Sequence, residues 1–128
     1  MASRIPLESR LAAFIEERAG DRTGALPLHA GGNETLGIRP DGSLVRWTPG
    51  SDEMLPIESP IDAAIALLLG AQRYSPLRPL LPVRPDGVAD CVTCGGAGQI
   101  AGAPEFICEC GGLGWWPRSL ADLGVVTD

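Results

Sequence analysis

All four cysteines of the chain sit in two short glycine-rich stretches, CVTCGGAG at residues 91–98 and CECGGLG at residues 108–114. A thiolate can be a nucleophile, a redox centre or a metal ligand, and spacing helps to decide among these. Cys91 and Cys94 are separated by two residues, Cys108 and Cys110 by one, and the two pairs by thirteen. Each close pair lets one local turn present two sulfurs, and two such turns complete a tetrahedral shell with bonds of about 2.3 Å to zinc. Gly95, Gly96 and Gly98 follow the first pair and Gly111, Gly112 and Gly114 the second, so the backbone can curl and aim its amides at the sulfurs. Cys91, Cys94, Cys108 and Cys110 are therefore assigned as ligands of one structural zinc ion. Four thiolates also suit iron, and paired thiols can instead form disulfides or a redox couple. Glycines rather than a helix follow Cys94, which is not the layout of a thioredoxin-like redox site.

The repeated string resembles the CxxCxGxG repeat of the cysteine-rich zinc domain of DnaJ-type co-chaperones. CVTCGGAG matches it in full, and CECGGLG is the same repeat with one residue deleted between its cysteines. The resemblance covers residues 91–114 only and implies that the two repeats pool their cysteines on one zinc. The His-Pro-Asp signature of a J-domain is absent, and there are two repeats where the family has four. What carries over is the zinc site and not chaperone activity.

Little else in the chain has the makings of catalysis. His29 is the only histidine, no G-x-S-x-G nucleophile or phosphate-binding glycine loop occurs, and a four-cysteine shell leaves a metal no open position. No enzymatic activity is expected. Affinity for nucleic acid comes largely from Lys and Arg meeting phosphates. Residues 86–128 instead carry Asp86, Asp90, Glu105, Glu109, Asp122 and Asp128 against Arg118 alone. A basic face built from Arg39, Arg46, Arg73, Arg78 and Arg84 is what keeps a zinc-ribbon nucleic-acid role open as an alternative. Protein binding, by an adaptor or through self-association, fits better. Trp115 and Trp116 directly follow the second hook, and tryptophan is enriched at binding hot spots. Neighbours on an extended chain point to opposite faces, so one indole should cover the metal module while the other faces outward.

These groups need a frame, and a chain of 128 residues with 45% apolar content can build one ordinary core with a small satellite. Leu7, Leu11, Phe14 and Ile15 at helical spacing predict an amphipathic helix ending near Gly20. Residues 20–34, GDRTGALPLHAGGNE, read as a loop that carries His29. TLGIRPDGSLVRW predicts a β-hairpin over residues 35–48 turning at Asp41 and Gly42, with Trp47 packing as cover. Ser59, Pro60 and Asp62 are the N-cap, first and third positions of a second helix. Its continuation AAIALLLGA is apolar on every face, as in a central helix or one that meets another chain. Pro76, Pro79, Pro82 and Pro85 recur every three residues, which predicts a polyproline II spacer about 30 Å long. The expected fold is α+β, two helices with a small antiparallel sheet plus a C-terminal zinc ribbon. The expected division is an α+β domain at 1–75, a linker at 76–87, the zinc module at 88–117 and a tail at 118–128.

Net charge is −6, and all ten cationic residues are arginine, as a GC-rich bacterial genome would encode. The start MASRIPLESR lacks the apolar core of a signal peptide, and the apolar run at residues 63–69 is far short of the roughly 20 needed to span a bilayer. A bacterial cytoplasmic protein without a membrane span is expected. The hairpin string GIRPDGSLVRW followed by helices in a small acidic protein is also similar to SUKH-type immunity domains. That similarity implies toxin neutralisation by binding as an alternative to an adaptor role.

Overall fold

The computed structural model describes residues 3–21, 23–31, 33–51, 53–100, 103–108 and 110–127. In chain order the elements are β1 (Ser3–Arg4), α1 (Ser9–Arg18), β2 (Leu26–Gly31), β3 (Glu34–Ile38), β4 (Leu44–Trp47), β5 (Leu55–Pro56), α2 (Pro60–Arg73), the 3-10 helix η1 (Ser75–Leu80), β6 (Gln99–Ile100), β7 (Ala103–Ile107), the 3-10 helix η2 (Leu120–Leu123) and β8 (Val126–Thr127). The fold is α+β. Strands β2-β3-β4-β5 make an antiparallel sheet in that order, while β6 pairs with β7 and β1 with β8. Among the described residues no helix is long and apolar enough to cross a membrane.

Helix α2 is the centre of the molecule. The Asp62 amide donates to the Ser59 hydroxyl at 3.3 Å, a cap that contributes about 1 kcal/mol, and Pro60 sits where a missing N–H leaves nothing unpaired. Ala63, Ala64, Ala66, Leu67, Gly70 and Ala71 are buried, and the helix touches β2, β3, η1 and η2. This accounts for the lack of a polar stripe over most of its length: neighbours surround it. Small residues mark where they come closest. A Cβ on Gly70 would lie 2.7 Å from Leu28 Cδ2, so the glycine leaves the space that Leu28 fills.

The sheet lays Leu26, Leu28, Leu36, Ile38 and Leu44 into the same buried cluster as α2, together with Ile15 of α1 and Ile57. Its other face is covered by Trp47, which packs with Ala25, Val45 and Met54. The expected hairpin is present, with Ile38 opposite Leu44, but its turn is built differently. Only Gly42 has positive φ, at 91°. Asp41 stays on the negative side and uses its carboxylate to accept the Ser43 amide at 2.9 Å, while the Arg39 amide donates to the Ser43 carbonyl at 2.9 Å.

Two expectations are corrected. Within residues 20–34, read as a loop, 26–31 form strand β2, because buried Leu26 and Leu28 alternate with exposed Pro27. The strand lies at the sheet edge, where proline is tolerated, and its register shifts between Pro27 and His29. His29 is accordingly a half-buried strand residue. Pro76 and Pro79 lie in η1 and not in an extended spacer. Polyproline II and the 3-10 helix both have about three residues per turn, so the proline spacing fits either. Leu77 and Leu80 share that spacing, and burying both against the core selects the compact form.

The stretch assigned to a tail supplies Leu123 and Val125 to the main cluster, and β8 pairs with β1 through Thr127 opposite Ser3 and Val126 opposite Arg4; Asp128 lies outside the described residues. The first strand is tied to the hairpin loop, where the Ile5 amide donates to the Gly42 carbonyl at 2.9 Å. A Cβ on Gly42 would overlap the Ile5 carbonyl oxygen, whereas one on Gly50, at φ 89°, would meet nothing within 4 Å. Urea unfolding should therefore separate the two: Gly50→Ala should lose about 1 kcal/mol from the positive φ alone, and Gly42→Ala about 3 kcal/mol from φ plus the crossing. Equal losses would show that the crossing adds nothing.

Candidate metal centre

The two hooks bring all four sulfurs together. The Sγ atoms of Cys91, Cys94, Cys108 and Cys110 lie within 4.8 Å of one another, and they are the one such group of His, Cys, Asp or Glu among the described residues. Cys91 and Cys108 approach to 3.7 Å and Cys94 and Cys110 to 3.9 Å. A tetrahedron of metal–sulfur bonds near 2.3 Å has sulfur–sulfur edges of about 3.8 Å, whereas a disulfide would need about 2 Å. All four thiols are free. The cluster is dimensioned to hold one metal ion.

The hooks are built as near copies facing each other. Placing Cys94 on Cys110 matches Gly95, Gly96 and Gly98 with Gly111, Gly112 and Gly114, and the contacts are reciprocal. The Cys91 amide donates to the Gly114 carbonyl at 2.9 Å, and the Cys108 amide to the Gly98 carbonyl at 3.2 Å. A Cβ on Gly98 would overlap the Gly112 carbonyl oxygen, and one on Gly114 would overlap that of Gly96. Both have positive φ, 79° and 86°, so these two positions exclude side chains on conformation and on space together. The residue missing from the second hook is absorbed in its knuckle: the Gly95 amide reaches back to the Cys91 carbonyl at 2.7 Å, and the Gly111 amide to that of Cys108 at 2.9 Å, one residue nearer in sequence. Strands β6 and β7 link the hooks, with Gln99 opposite Ile107, and an Asp90–Trp115 bridge closes the other end. Glu109, between the second pair of cysteines, lies outside the described residues.

Without a cation the cluster cannot ionise together. Burial pushes the Cys94 thiol up, but the amides of Gly98 and Gly96, aided by the neighbouring thiols, outweigh it and bring it down to about 7. The Cys110 amide pulls Cys108 down, yet burial and the thiols of Cys91, Cys94 and Cys110 push it up to about 12. Cys110 is raised as well, first by burial, with the amides of Gly114 and Gly112 offsetting part of it. A divalent ion inverts these preferences by supplying the missing positive charge.

The centre is fastened to the rest of the protein at several points. A Cβ on Gly111 would lie 2.8 Å from Ala64 Cβ and 3.3 Å from the Ile61 carbonyl, so the second hook rests directly on α2. Trp115, 5% exposed, belongs to the same buried cluster as Ile15, Ile38 and Leu67, and Val88 and Leu113 pack against it. Trp116 is 45% exposed. Of the two indoles assigned to a partner surface, then, one is core and the other is open. Ahead of the first hook, Arg84 holds Asp90 at 2.6 Å and donates from Nε to the Val88 carbonyl at 2.9 Å. Asp122 accepts from the Arg118 amide at 2.9 Å and from its guanidinium at 3.1 Å. The seat of Gly111 on α2 and the Arg84 clamp were not anticipated from sequence.

No known protein family, curated protein or solved structure matches this chain. The likeness to DnaJ-type repeats and to SUKH domains rests on the quoted residues alone.

Metal binding should be strongly proton-linked. Cys108 and Cys110, both raised in the folded metal-free chain, hold their protons at pH 7, so a divalent ion must displace at least those. Calorimetry in buffers of different ionisation enthalpy should find two or more protons released per ion. The affinity should accordingly fall by at least about a hundredfold per pH unit between pH 8 and pH 6. Release of less than one proton would contradict a four-thiolate shell.

Proposed function

We propose that the protein is a non-enzymatic zinc-binding protein of the bacterial cytoplasm that acts by holding another protein. The observation that carries this is the division of labour between adjacent residues: the closed sulfur cluster and Trp115 are turned into the fold, and Trp116 is left 45% exposed beside them. A metal with four buried or half-buried thiolates has no open position for substrate, so its role is structural. Zinc suits that role because four thiolates complete its preferred tetrahedral shell and it has no redox chemistry of its own. The reciprocal seating of the hooks supports the DnaJ-like arrangement in which two repeats share one ion. A large indole kept in water on such a rigid base is the kind of anchor that dominates binding energies. Nucleic acid suits the site less well, since the cations nearest the hooks in sequence, Arg84 and Arg118, are already engaged by Asp90 and Asp122.

Elemental analysis should find one zinc per chain and little iron; stoichiometric iron would contradict the assignment. Trp116→Ala should keep that zinc and the fold, yet cost about 2 kcal/mol in association with the partner or with a second copy, measured by sedimentation or calorimetry. Trp115→Ala should instead cost about 3–5 kcal/mol of folding stability. Unchanged association in Trp116→Ala would remove the indole from the binding surface.

A further inference from the structure

The four ligands are not equally protected, and the difference marks one of them. Cys91, Cys108 and Cys110 are 3%, 1% and 0% exposed, whereas Cys94 is only partly covered. Cys94 closes the first knuckle, whose Val92 is 98% exposed, so this side of the centre is open to solvent. The Gly98 amide donates to Cys94 Sγ at 3.3 Å and holds the sulfur in place. On the facing hook Cys110 Sγ lies 3.9 Å from it, and the remaining two sulfurs form a second cross-hook pair at 3.7 Å. An accessible thiolate beside a buried partner is the arrangement in which a sulfenic acid forms and is then resolved.

We infer that Cys94 is a site of oxidative modification, at which a peroxide is reduced and the metal released through a Cys94–Cys110 disulfide. The inference rests on the four-thiolate metal centre proposed above. In the first step the Cys94 thiolate attacks one peroxide oxygen. The O–O bond breaks, a sulfur–oxygen bond forms, and hydroxide leaves. In the second the Cys110 thiolate attacks Cys94 Sγ, a disulfide forms, and the hydroxyl departs as a second hydroxide. Two electrons pass from the two thiolates to the peroxide, and two hydroxides account for its oxygens. A bound ion would thereby lose two of its four ligands and be left with Cys91 and Cys108 alone.

The rearrangement is not confined to the knuckles. Drawing two sulfurs from 3.9 Å to a disulfide distance of about 2 Å shifts hooks whose glycines are already in backbone contact, and Gly111 passes that shift to Ala64 of α2. Loss of the ion would then loosen the helix on which the core is built.

The test uses the intact protein, whose metal content is measured before any oxidant is added. One equivalent of hydrogen peroxide per chain should release the ion to a chromogenic chelator. A sulfenic acid trap present at early times should label Cys94 about tenfold more than any other cysteine, and peptide mass spectrometry should identify Cys94–Cys110 as the first disulfide. A dithiol reductant with added zinc should restore the metal content. Retention of the ion, even labelling of the four cysteines, or a first disulfide between Cys91 and Cys94 would overturn the inference while leaving the metal centre standing. Protein that carries no metal and takes none up would overturn the centre itself.

Discussion

Four thiols within 4.8 Å of one another resist being ionised together, with Cys108 pushed up to about 12 and Cys110 also raised, and a single divalent ion removes that resistance. The backbone around them is already committed to the geometry. Gly98 lies under the Gly112 carbonyl and Gly114 under that of Gly96, so neither hook can close without the other. Apparent metal-binding free energies at structural zinc sites are about 10–16 kcal/mol, as large as the whole stability of a typical small domain. An interaction of that size, if zinc is held here, would reach the central helix through Gly111.

Its reach follows from three contacts. Gly111 seats the second hook on Ala64 and Ile61 of α2, Trp115 extends the main hydrophobic cluster under the hooks, and the chain beyond Pro117 returns through η2 and β8 to pair with β1. The same α2 faces β2 on another side, where Gly70 admits Leu28. Metal hooks, helix and sheet thus share one buried cluster, and the opposite face of the sheet is closed separately by Trp47. Beside the centre, Val92 and Trp116 are the large apolar side chains left exposed, at 98% and 45%.

Where a local rule governs, the fold was readable from sequence. Ser59 and Pro60 start α2, Asp41 and Gly42 turn the hairpin, and the cysteine spacing names the four clustered sulfurs. The failures come from signals with two physical solutions. A three-residue proline period suits both polyproline II and a 3-10 helix, and only the burial of Leu77 and Leu80 decides between them. Strand β2 was hidden because Pro27 and the surrounding glycines resemble a loop, although Leu26 and Leu28 already show the alternation of a strand. Trp115 and Trp116 were rightly expected to differ in burial, but not that Trp115 would join the main cluster. Its place there is a matter of long-range packing, which no local periodicity announces.

The central claim, that one metal ion in the sulfur cluster stabilises the central helix as well as the hooks, is tested most directly by hydrogen exchange with the ion present and after its removal by a chelator. Backbone amides of Ala63 to Arg73 should lose protection together with those of Cys91, Cys108 and Gly111, because Ala64 and Gly111 are in contact. Exchange that speeds up only within residues 88–117, with α2 as protected as before, would contradict it.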